Sequence, residues 1–167
     1  RGNVPTRIRK LIANAASGEW HGILLARAGL ERLGIYRPGE SSFEFEGATV
    51  FARELDETQF LPAAGQGAVG IEILKENTAV REVLEKINHA PTFARVAAER
   101  AFLAALKAGC QTPVGARTWF EDEGETLVMA VRVFDEDDPA GEPFVAEARG
   151  AAGEPEALAG VLMDLKC

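Results

Sequence analysis

The chain has 167 residues, of which 47% are hydrophobic and 26% charged, and its formal net charge is −8. This composition is typical of a globular protein with a buried core and excludes a low-complexity chain. Because no run approaches the roughly 18 apolar residues that cross a bilayer, we expect a soluble, cytoplasmic protein, and the acidic balance argues against non-specific nucleic-acid binding.

The opening of the chain predicts a helix, a strand and a second helix. Thr6 is placed to cap the first helix, which ends at Ser17-Gly18. Residues 22–26 form a short continuous apolar run, which is the pattern of a buried parallel strand between helices. A helix over 28–33 then stops at Gly34. We interpret this segment as half of an open α/β unit, and the first residue, an arginine rather than methionine, also leads us to expect a fragment.

The middle of the chain is less regular. Residues 35–60 are polar and acidic and predict a connector or a small hairpin. A glycine-rich turn follows, and a strand is predicted over 68–74. Next comes an amphipathic helix over 78–87, which Asn88 to Pro91 ends.

The last part of the chain predicts a small α+β domain. A helix capped by Thr92 runs to about Lys107, with Phe93 and Phe102 among its inward residues. An antiparallel sheet of about three strands and a final helix from near Glu154 complete the domain. The three strand-like runs are 116–121, 126–134 and 144–148.

Positive charge is concentrated at the start of the chain. Residues 1–38 hold seven basic residues and two acidic ones, a net +5 within a chain of −8. A local excess of arginine in an acidic protein suits a small anionic ligand better than a polyanion. From the residues alone, a solvated basic face is an equally good explanation.

The segment around Cys110 is the most informative for chemistry. Gly109 stands where a helix C-terminus needs a left-handed residue, and Pro113 fixes the exit of the loop. Such a loop can present a sulfur in one orientation, although the partial negative charge at a helix C-terminus does not activate a thiol. From the residues alone, a buried structural cysteine is the favoured interpretation. The other cysteine and the two histidines complete neither a disulfide framework nor a metal site, so we expect no metal.

Four blocks of the sequence, in chain order, resemble the porphobilinogen deaminase family. They are RGNVPTR, GILLARAGLERLG, LPAAGQGAVGIE and a final block in which Glu99-Arg100-Ala101-Phe102 precedes GCQTPVG. The final block is similar to the cofactor-attachment signature of the family, with Ala108 where a further glycine is usual. The resemblance covers nearly the whole chain, weakens over 35–60 and after residue 121, and corresponds to the C-terminal half of a family member.

The resemblance implies a covalent cofactor. In this family the cysteine at the position of Cys110 carries a dipyrromethane primer through a thioether. The enzyme extends the primer by four porphobilinogen units, each losing ammonia, and releases hydroxymethylbilane. Gln66 and Gly67 fall where the amide and backbone groups of the family meet the cofactor, although Gly65 and Gly67 are also explained as turn glycines.

The resemblance also gives the arginines a role. Each pyrrole ring carries two carboxylates, and planar guanidinium groups bind carboxylates in bidentate pairs. By matching motifs, Arg1 and Arg7 are implied to bind the cofactor and Arg32 the substrate. The catalytic aspartate of the family lies in an N-terminal half that this chain does not contain. We therefore assign no catalytic residue here and expect the isolated chain to be inactive.

The family architecture implies three domains, of which the first two resemble periplasmic binding proteins. Residues 1–61 would be the back half of domain 2, an incomplete α/β half domain. Residues 62–87 would cross back to domain 1, and 88–167 would form domain 3, the α+β domain that carries the cofactor. The implied enzyme is a cytoplasmic, monomeric transferase of tetrapyrrole and heme biosynthesis. Its substrate is porphobilinogen, and the partner of this chain is the N-terminal half.

Two other functions remain open. One is an anion-binding α/β module that recognises carboxylate ligands without chemistry, which an unmodified Cys110 would favour. The other is a structural module whose α/β half only packs against a partner chain, which size-exclusion chromatography and thermal melts would identify.

Overall fold

A computed structural model describes residues 2–109, 112–138 and 140–166; the predictions that concern Arg1 and Cys110 lie outside the described residues. The chain divides into two compact units, Arg1–Asp56 and Glu57–Cys167. Within the described ranges no helix has both the length and the apolar character needed to span a bilayer.

The first unit begins with helix α1, Val4–Ala15. Asn3 caps it, because the Asn3 side chain accepts a hydrogen bond from the backbone N–H of Thr6 at 3.0 Å. Pro5 is tolerated in the first turn, where no backbone donor is needed. The predicted cap, Thr6, is therefore wrong: Thr6 is the donor in the capping bond, and the asparagine three residues earlier supplies the acceptor.

Helix α2, Arg27–Arg32, is followed by a hairpin of β1, Ser42–Phe45, and β2, Ala48–Phe51. The hairpin turn consists of Glu46 and Gly47, with φ of 50° and 83°. Two consecutive positive φ values are the pattern of a type I′ turn, which matches the twist of paired strands. The hairpin interpretation of residues 35–60 is thus confirmed.

A small apolar core holds the first unit together. Helix α1 contributes Ile8, which is 1% exposed, and α2 contributes Leu30. Tyr36 packs edge-on against Phe43 of the hairpin, with ring centroids 6.1 Å apart. The remaining core residue is Phe45. The core therefore joins two helices to an antiparallel hairpin.

The strand predicted over 22–26 is absent from the described structure. These residues have no backbone ladder, and Leu24 is 57% exposed. A strand needs a neighbour with which to pair, and no described segment of the first unit lies beside this one as a strand. The predicted strand is therefore wrong: the described part of the first unit holds helices and an antiparallel hairpin, with no parallel pair of strands. The α/β half domain that the resemblance implies for residues 1–61 stays a prediction.

The second unit contains a three-stranded antiparallel sheet in the order β3-β4-β5. The strands are β3, Val114–Glu121, β4, Thr126–Val133, and β5, Phe144–Ala151. Alternate residues of the strands face a buried core, as the sequence alternation requires. The predicted α+β domain with a three-stranded sheet is confirmed, together with its mixed α and β class.

Two helices cover one face of this sheet. They are α4, Ala90–Ala105, and α5, Ala157–Lys166. Phe102 of α4 and Leu158 of α5 are at most 1% exposed and meet Leu127 and Met129 of β4 in one core. In this layer α4 packs against β3 and β4, and α5 packs against β5 and α4.

The start of α4 differs from the prediction. His89 is the cap, since its Nδ1 accepts a hydrogen bond from the backbone N–H of Thr92 at 3.3 Å. The predicted cap Thr92 is therefore wrong. Phe93 is also not inward, because its side chain is 66% exposed.

The end of α4 also differs. Lys107, with φ of 54°, is the left-handed residue, and Gly109 has no positive φ. The N–H of Ala108 donates to the carbonyl of Leu103 at 2.9 Å, and that of Lys107 donates to Ala104 at 3.0 Å. This pair of bonds is a Schellman motif. The prediction for Gly109 is wrong because the helix ends two residues earlier than a glycine-based cap requires.

Residues 68–87 expose apolar side chains. The strand predicted over 68–74 is not formed, and Val69 is 92% exposed. The helix predicted over 78–87 is present as α3, Thr78–Glu85, but it buries none of its residues. The exposed large apolar side chains here are Val69, Ile71, Leu74, Val80, Val83 and Ile87.

Residues 57–62 cross the outer face and edge of the sheet. Arg117 forms an ion pair with Glu57 at 2.6 Å, and the Arg132 guanidinium donates to the backbone carbonyls of Thr58, at 3.2 Å, and Gln59. The N–H of Ala116 donates to the carbonyl of Pro62 at 2.9 Å. The sheet thereby fixes the segment that leads into the glycine-rich turn.

Candidate functional site

The described site residues fall into both units. Arg7 and Arg32 belong to the first unit, whereas Gln66 and Gly67 belong to the second. Arg1 and Cys110, the other two residues assigned from the sequence, lie outside the described residues.

Arg7 lies in the second turn of α1 and is half-buried. One of its terminal nitrogens donates to the backbone carbonyl of Leu24 at 2.9 Å. A guanidinium carries five N–H donors, so this bond orients the group and uses one of them. The neighbouring Arg9 is different, because its guanidinium is committed to both carboxylate oxygens of Glu46. These hydrogen bonds lower the pKa of Glu46, and they indicate that Arg9 stabilises the fold rather than binding a ligand.

Arg32 lies in the last turn of α2 and is exposed. Within the described ranges it has no hydrogen-bond or ion-pair partner. Arg27, on the same helix, contrasts with it by forming ion pairs with Glu31 at 2.7 Å and Glu54 at 2.8 Å. Arg32 is thus the arginine of α2 whose charge the fold leaves available to a ligand.

Gln66 and Gly67 form an exposed turn with Gly65. Gly65 and Gly67 both have positive φ, 71° and 85°, which only glycine adopts without strain. The turn closes on itself, since Gln66 N–H donates to the carbonyl of Ala63 at 3.0 Å and the Gln66 side-chain oxygen accepts from Ala63 N–H at 3.1 Å. The turn thereby presents its own backbone to solvent in a fixed shape.

A buried carboxylate holds this turn, and sequence reasoning gave it no role. Glu99 of α4 is 7% exposed, and its carboxylate accepts a hydrogen bond from Gly65 N–H at 2.6 Å. Its other oxygen accepts from the hydroxyl of Thr118 at 2.7 Å, and Arg95 donates to that hydroxyl at 3.2 Å. The available signal was a glutamate on the apolar face of a helix, within the block Glu99-Arg100-Ala101-Phe102.

The loop that contains Cys110 begins at Gly109 and ends at Thr112. Gly109 N–H donates to the Thr112 hydroxyl at 3.0 Å, and Thr112 N–H donates to the Gly109 carbonyl at 3.2 Å. Phe134 N–H donates to the carbonyl of Pro113 at 3.0 Å and joins the loop exit to the end of β4. The two ends of the cysteine loop are therefore tied together.

These groups suit recognition of acids. Within the first unit, Arg7 and Arg32 present guanidinium groups, which bind carboxylates in bidentate pairs. Within the second unit, the turn at Gln66 and Gly67 presents backbone and amide groups. The part of the chain that the structure describes contains no cluster of three or more histidine, cysteine or acidic residues that could hold a metal ion.

Comparison with known proteins adds the following similarities. Residues 1–82 match the family model described as "Porphobilinogen deaminase, dipyromethane cofactor binding domain", and residues 93–163 match "Porphobilinogen deaminase, C-terminal domain". The porphobilinogen deaminase of Methylobacillus flagellatus is 40% identical over 159 residues, which cover 95% of this chain and 44% of that protein. That of Nitratidesulfovibrio vulgaris is 44% identical over 114 residues, which cover 68% of this chain and 31% of that protein. The chain therefore spans less than half the length of these relatives.

Proposed function

Because the chain belongs to the porphobilinogen deaminase family, we propose that it forms part of an enzyme that joins four porphobilinogen units into hydroxymethylbilane on a dipyrromethane primer. Each coupling forms one carbon–carbon bond and releases one ammonia. The observation that carries the proposal is the match of residues 1–82 to the cofactor-binding domain of the family. This enzyme is a transferase of tetrapyrrole biosynthesis.

We propose that the primer is attached to Cys110 through a thioether. The bound primer supplies the pyrrole carbon to which each new ring is joined. The tied ends of the loop, at Gly109 and Thr112, support this role because they limit the positions open to an attached group. The exposed turn at Gln66 and Gly67 supplies backbone and amide groups for the same primer.

The arginines are proposed to bind the acid groups of the pyrroles, Arg1 and Arg7 on the cofactor and Arg32 on the substrate. Acetate and propionate side chains are anionic, and guanidinium groups bind them in a fixed geometry. The exposure of Arg32 and the single structural bond of Arg7 support this assignment. The residues fit the chemistry of an acidic oligopyrrole.

The domain assignment is likewise a proposal. Residues 1–61 belong to domain 2, a periplasmic-binding-protein-like domain, 62–87 to domain 1, and 88–167 to domain 3. The apolar exposure of Leu24, and of residues 68–87, supports it, because such side chains are expected to be covered by strands and helices of an N-terminal half. The complete enzyme is proposed to be monomeric and cytoplasmic, with its catalytic aspartate in that half.

Intact mass spectrometry of the full-length protein tests this function. We expect a mass increment of two pyrrole units on the wild type and on Cys167→Ser, and none on Cys110→Ser. Cys167 is the matched control because it is the only other cysteine of the chain. An unmodified wild type that still binds small acids through Arg1, Arg7 and Arg32 would instead identify a carboxylate-binding module.

A further inference from the structure

The hydrogen bonds around Glu99 join two parts of the proposed cofactor site. Glu99 holds Gly65 through a 2.6 Å hydrogen bond to the backbone N–H, and Gly65 begins the exposed turn with Gln66 and Gly67. The same helix, α4, ends in the Schellman motif at Lys107, two residues before the cysteine loop begins. One rigid element therefore contacts the turn at its middle and leads into the loop at its end.

A carboxylate at this position is unfavourable for packing alone. Moving a charged group out of water is unfavourable unless hydrogen bonds replace the lost hydration. Glu99 forms no direct ion pair in the described structure, and Arg95 reaches it only through the hydroxyl of Thr118. An apolar residue would pack between α4 and the sheet without this cost. The two accepted hydrogen bonds are therefore the reason for the carboxylate.

The geometry of the turn requires such an acceptor. Gly65 is half-buried against α4, where a methyl group added to it would lie 3.9 Å from Val96. A backbone N–H that is removed from water and lacks an acceptor destabilises the fold. Without Glu99 the turn would have to move toward water to satisfy the N–H of Gly65, and Gln66 and Gly67 would move with it.

We propose that Glu99 is a positioning residue: through Gly65 it fixes the turn of Gln66 and Gly67 relative to α4, and so relative to the loop that contains Cys110. This inference rests on the proposed function, since it concerns how the distance between the turn and the cysteine loop, the two proposed parts of the primer site, is kept constant. Glu99 itself does not touch the reacting atoms. Thr118 acts with it, by donating to the second carboxylate oxygen.

The test compares two substitutions in the full-length enzyme. Glu99→Gln keeps an oxygen that accepts from Gly65 N–H and an amide that donates to the Thr118 hydroxyl. Glu99→Met has a similar length and no comparable acceptor. We expect Glu99→Met to lower kcat by about tenfold or more and to leave KM within about twofold of the wild-type value. Glu99→Gln should retain most of the activity. The reason is that misplacement of a bound group affects the chemical step rather than substrate affinity.

Hydrogen exchange at the Gly65 amide gives a readout without activity. Exchange should be faster in Glu99→Met and near the wild-type rate in Glu99→Gln. Phe102→Leu is the matched control. Phe102 is a fully buried core residue of the same helix and takes no part in the hydrogen bonds of Glu99, so we expect this substitution to destabilise the domain and to leave the bond to Gly65 in place. It should lower the melting temperature without changing kcat or the exchange of Gly65.

The outcomes are distinguishable. If Glu99→Met matched Phe102→Leu in all three measurements, with unchanged kcat and unchanged exchange at Gly65, Glu99 would serve folding alone and the inference would be overturned. If the wild-type enzyme carried no two-pyrrole increment, the proposed function would fail instead, and exchange at Gly65 would still decide whether Glu99 holds the turn.

Discussion

At the end of α4, Lys107 occupies a left-handed conformation that usually belongs to glycine. A side chain in this region is strained by roughly 1–2 kcal/mol, and glycine avoids the strain but loses more entropy on folding. We therefore expect Lys107→Gly to raise the free energy of unfolding by about 0.5–1 kcal/mol, measured by urea denaturation. Ala105→Gly, in the last turn of the same helix, is the control and should lower it by about 1 kcal/mol. A loss of stability in Lys107→Gly would contradict the Schellman assignment.

Gly115 of β3 is needed for a different reason, the close approach of the segment that precedes the glycine-rich turn. A Cβ there would lie 2.8 Å from the Cβ of Leu61 and 3.3 Å from its carbonyl oxygen. Gly115→Ala should therefore destabilise the second unit by about 1–3 kcal/mol in chemical denaturation. Gly153→Ala, with nothing within 4 Å of the added carbon, should have little effect. Equal stability of the two variants would show that residue 61 does not pack on β3.

Single residues also show how far the sequence predicts a site. Arg32 and the turn of Gln66 and Gly67 were identified from family motifs, and both are exposed as a ligand site requires. Glu99 received no role because a sequence does not show which backbone amide a buried carboxylate will meet. Gly109 was predicted to end α4 because glycine is the usual residue in the left-handed conformation at a helix C-terminus. In the structure Lys107 adopts this conformation instead.

At the scale of elements, Glu54 joins α2 to the segments that precede and follow the hairpin. Its carboxylate accepts hydrogen bonds from Arg27, from the Tyr36 hydroxyl at 2.9 Å and from the N–H of Gly39 at 3.2 Å. These bonds, that of Arg27 most strongly, lower the pKa of Glu54 below its usual value of 4.5. A carboxyl whose pKa is depressed by folding stabilises the fold above its unfolded pKa, and this stabilisation is lost as the pH falls through the folded value.

We therefore expect the amide resonance of Gly39 to titrate with a midpoint below pH 4.5, and the stability of the first unit to fall over the same acidic range. Glu54→Gln should remove the Gly39 titration and reduce the acid dependence. Glu19→Gln is the control, because among the described residues the Glu19 carboxylate has no partner and only the Glu19 backbone N–H forms a hydrogen bond, to the carbonyl of Asn14. A Gly39 midpoint above 4.5 would contradict the arrangement.

The elements differ in how well the sequence predicted them. The strands β3, β4 and β5 were predicted because apolar and polar residues alternate and turn residues separate the runs. Residues 22–26 and 68–74 have equally apolar runs but no strand. An apolar run indicates that a segment is to be covered, whereas a ladder also needs a neighbouring backbone, which the sequence of the segment does not specify.

At the scale of the whole molecule, α3 and the segment before it present an apolar surface without a cover among the described residues. The side chains of Val69 and Leu74 are 92% and 75% exposed. We expect a separately expressed N-terminal half to bind here and to slow hydrogen exchange over residues 68–87, measured by mass spectrometry. The surface variant Val83→Ser should weaken this binding, and Glu147→Gln, on the outer face of the sheet, should leave it unchanged.

Activity gives a second test at this scale. The isolated chain should not convert porphobilinogen to a tetrapyrrole, and a mixture with the N-terminal half should do so. The reason is that the catalytic aspartate is assigned to that half. Formation of a tetrapyrrole by the isolated 167 residues would show that the catalytic group lies within this chain.

The hydrogen bonds from Arg132 to the backbone carbonyls of Thr58 and Gln59 have an evolutionary consequence. The arginine binds main-chain oxygens, which every amino acid carries, so the bond to Gln59 does not depend on its side chain. Substitutions at position 59 should accumulate freely among descendants of this protein. An inserted or deleted residue would move the carbonyl oxygens away from the guanidinium. The length of this segment should therefore be conserved more strictly than its amino-acid sequence.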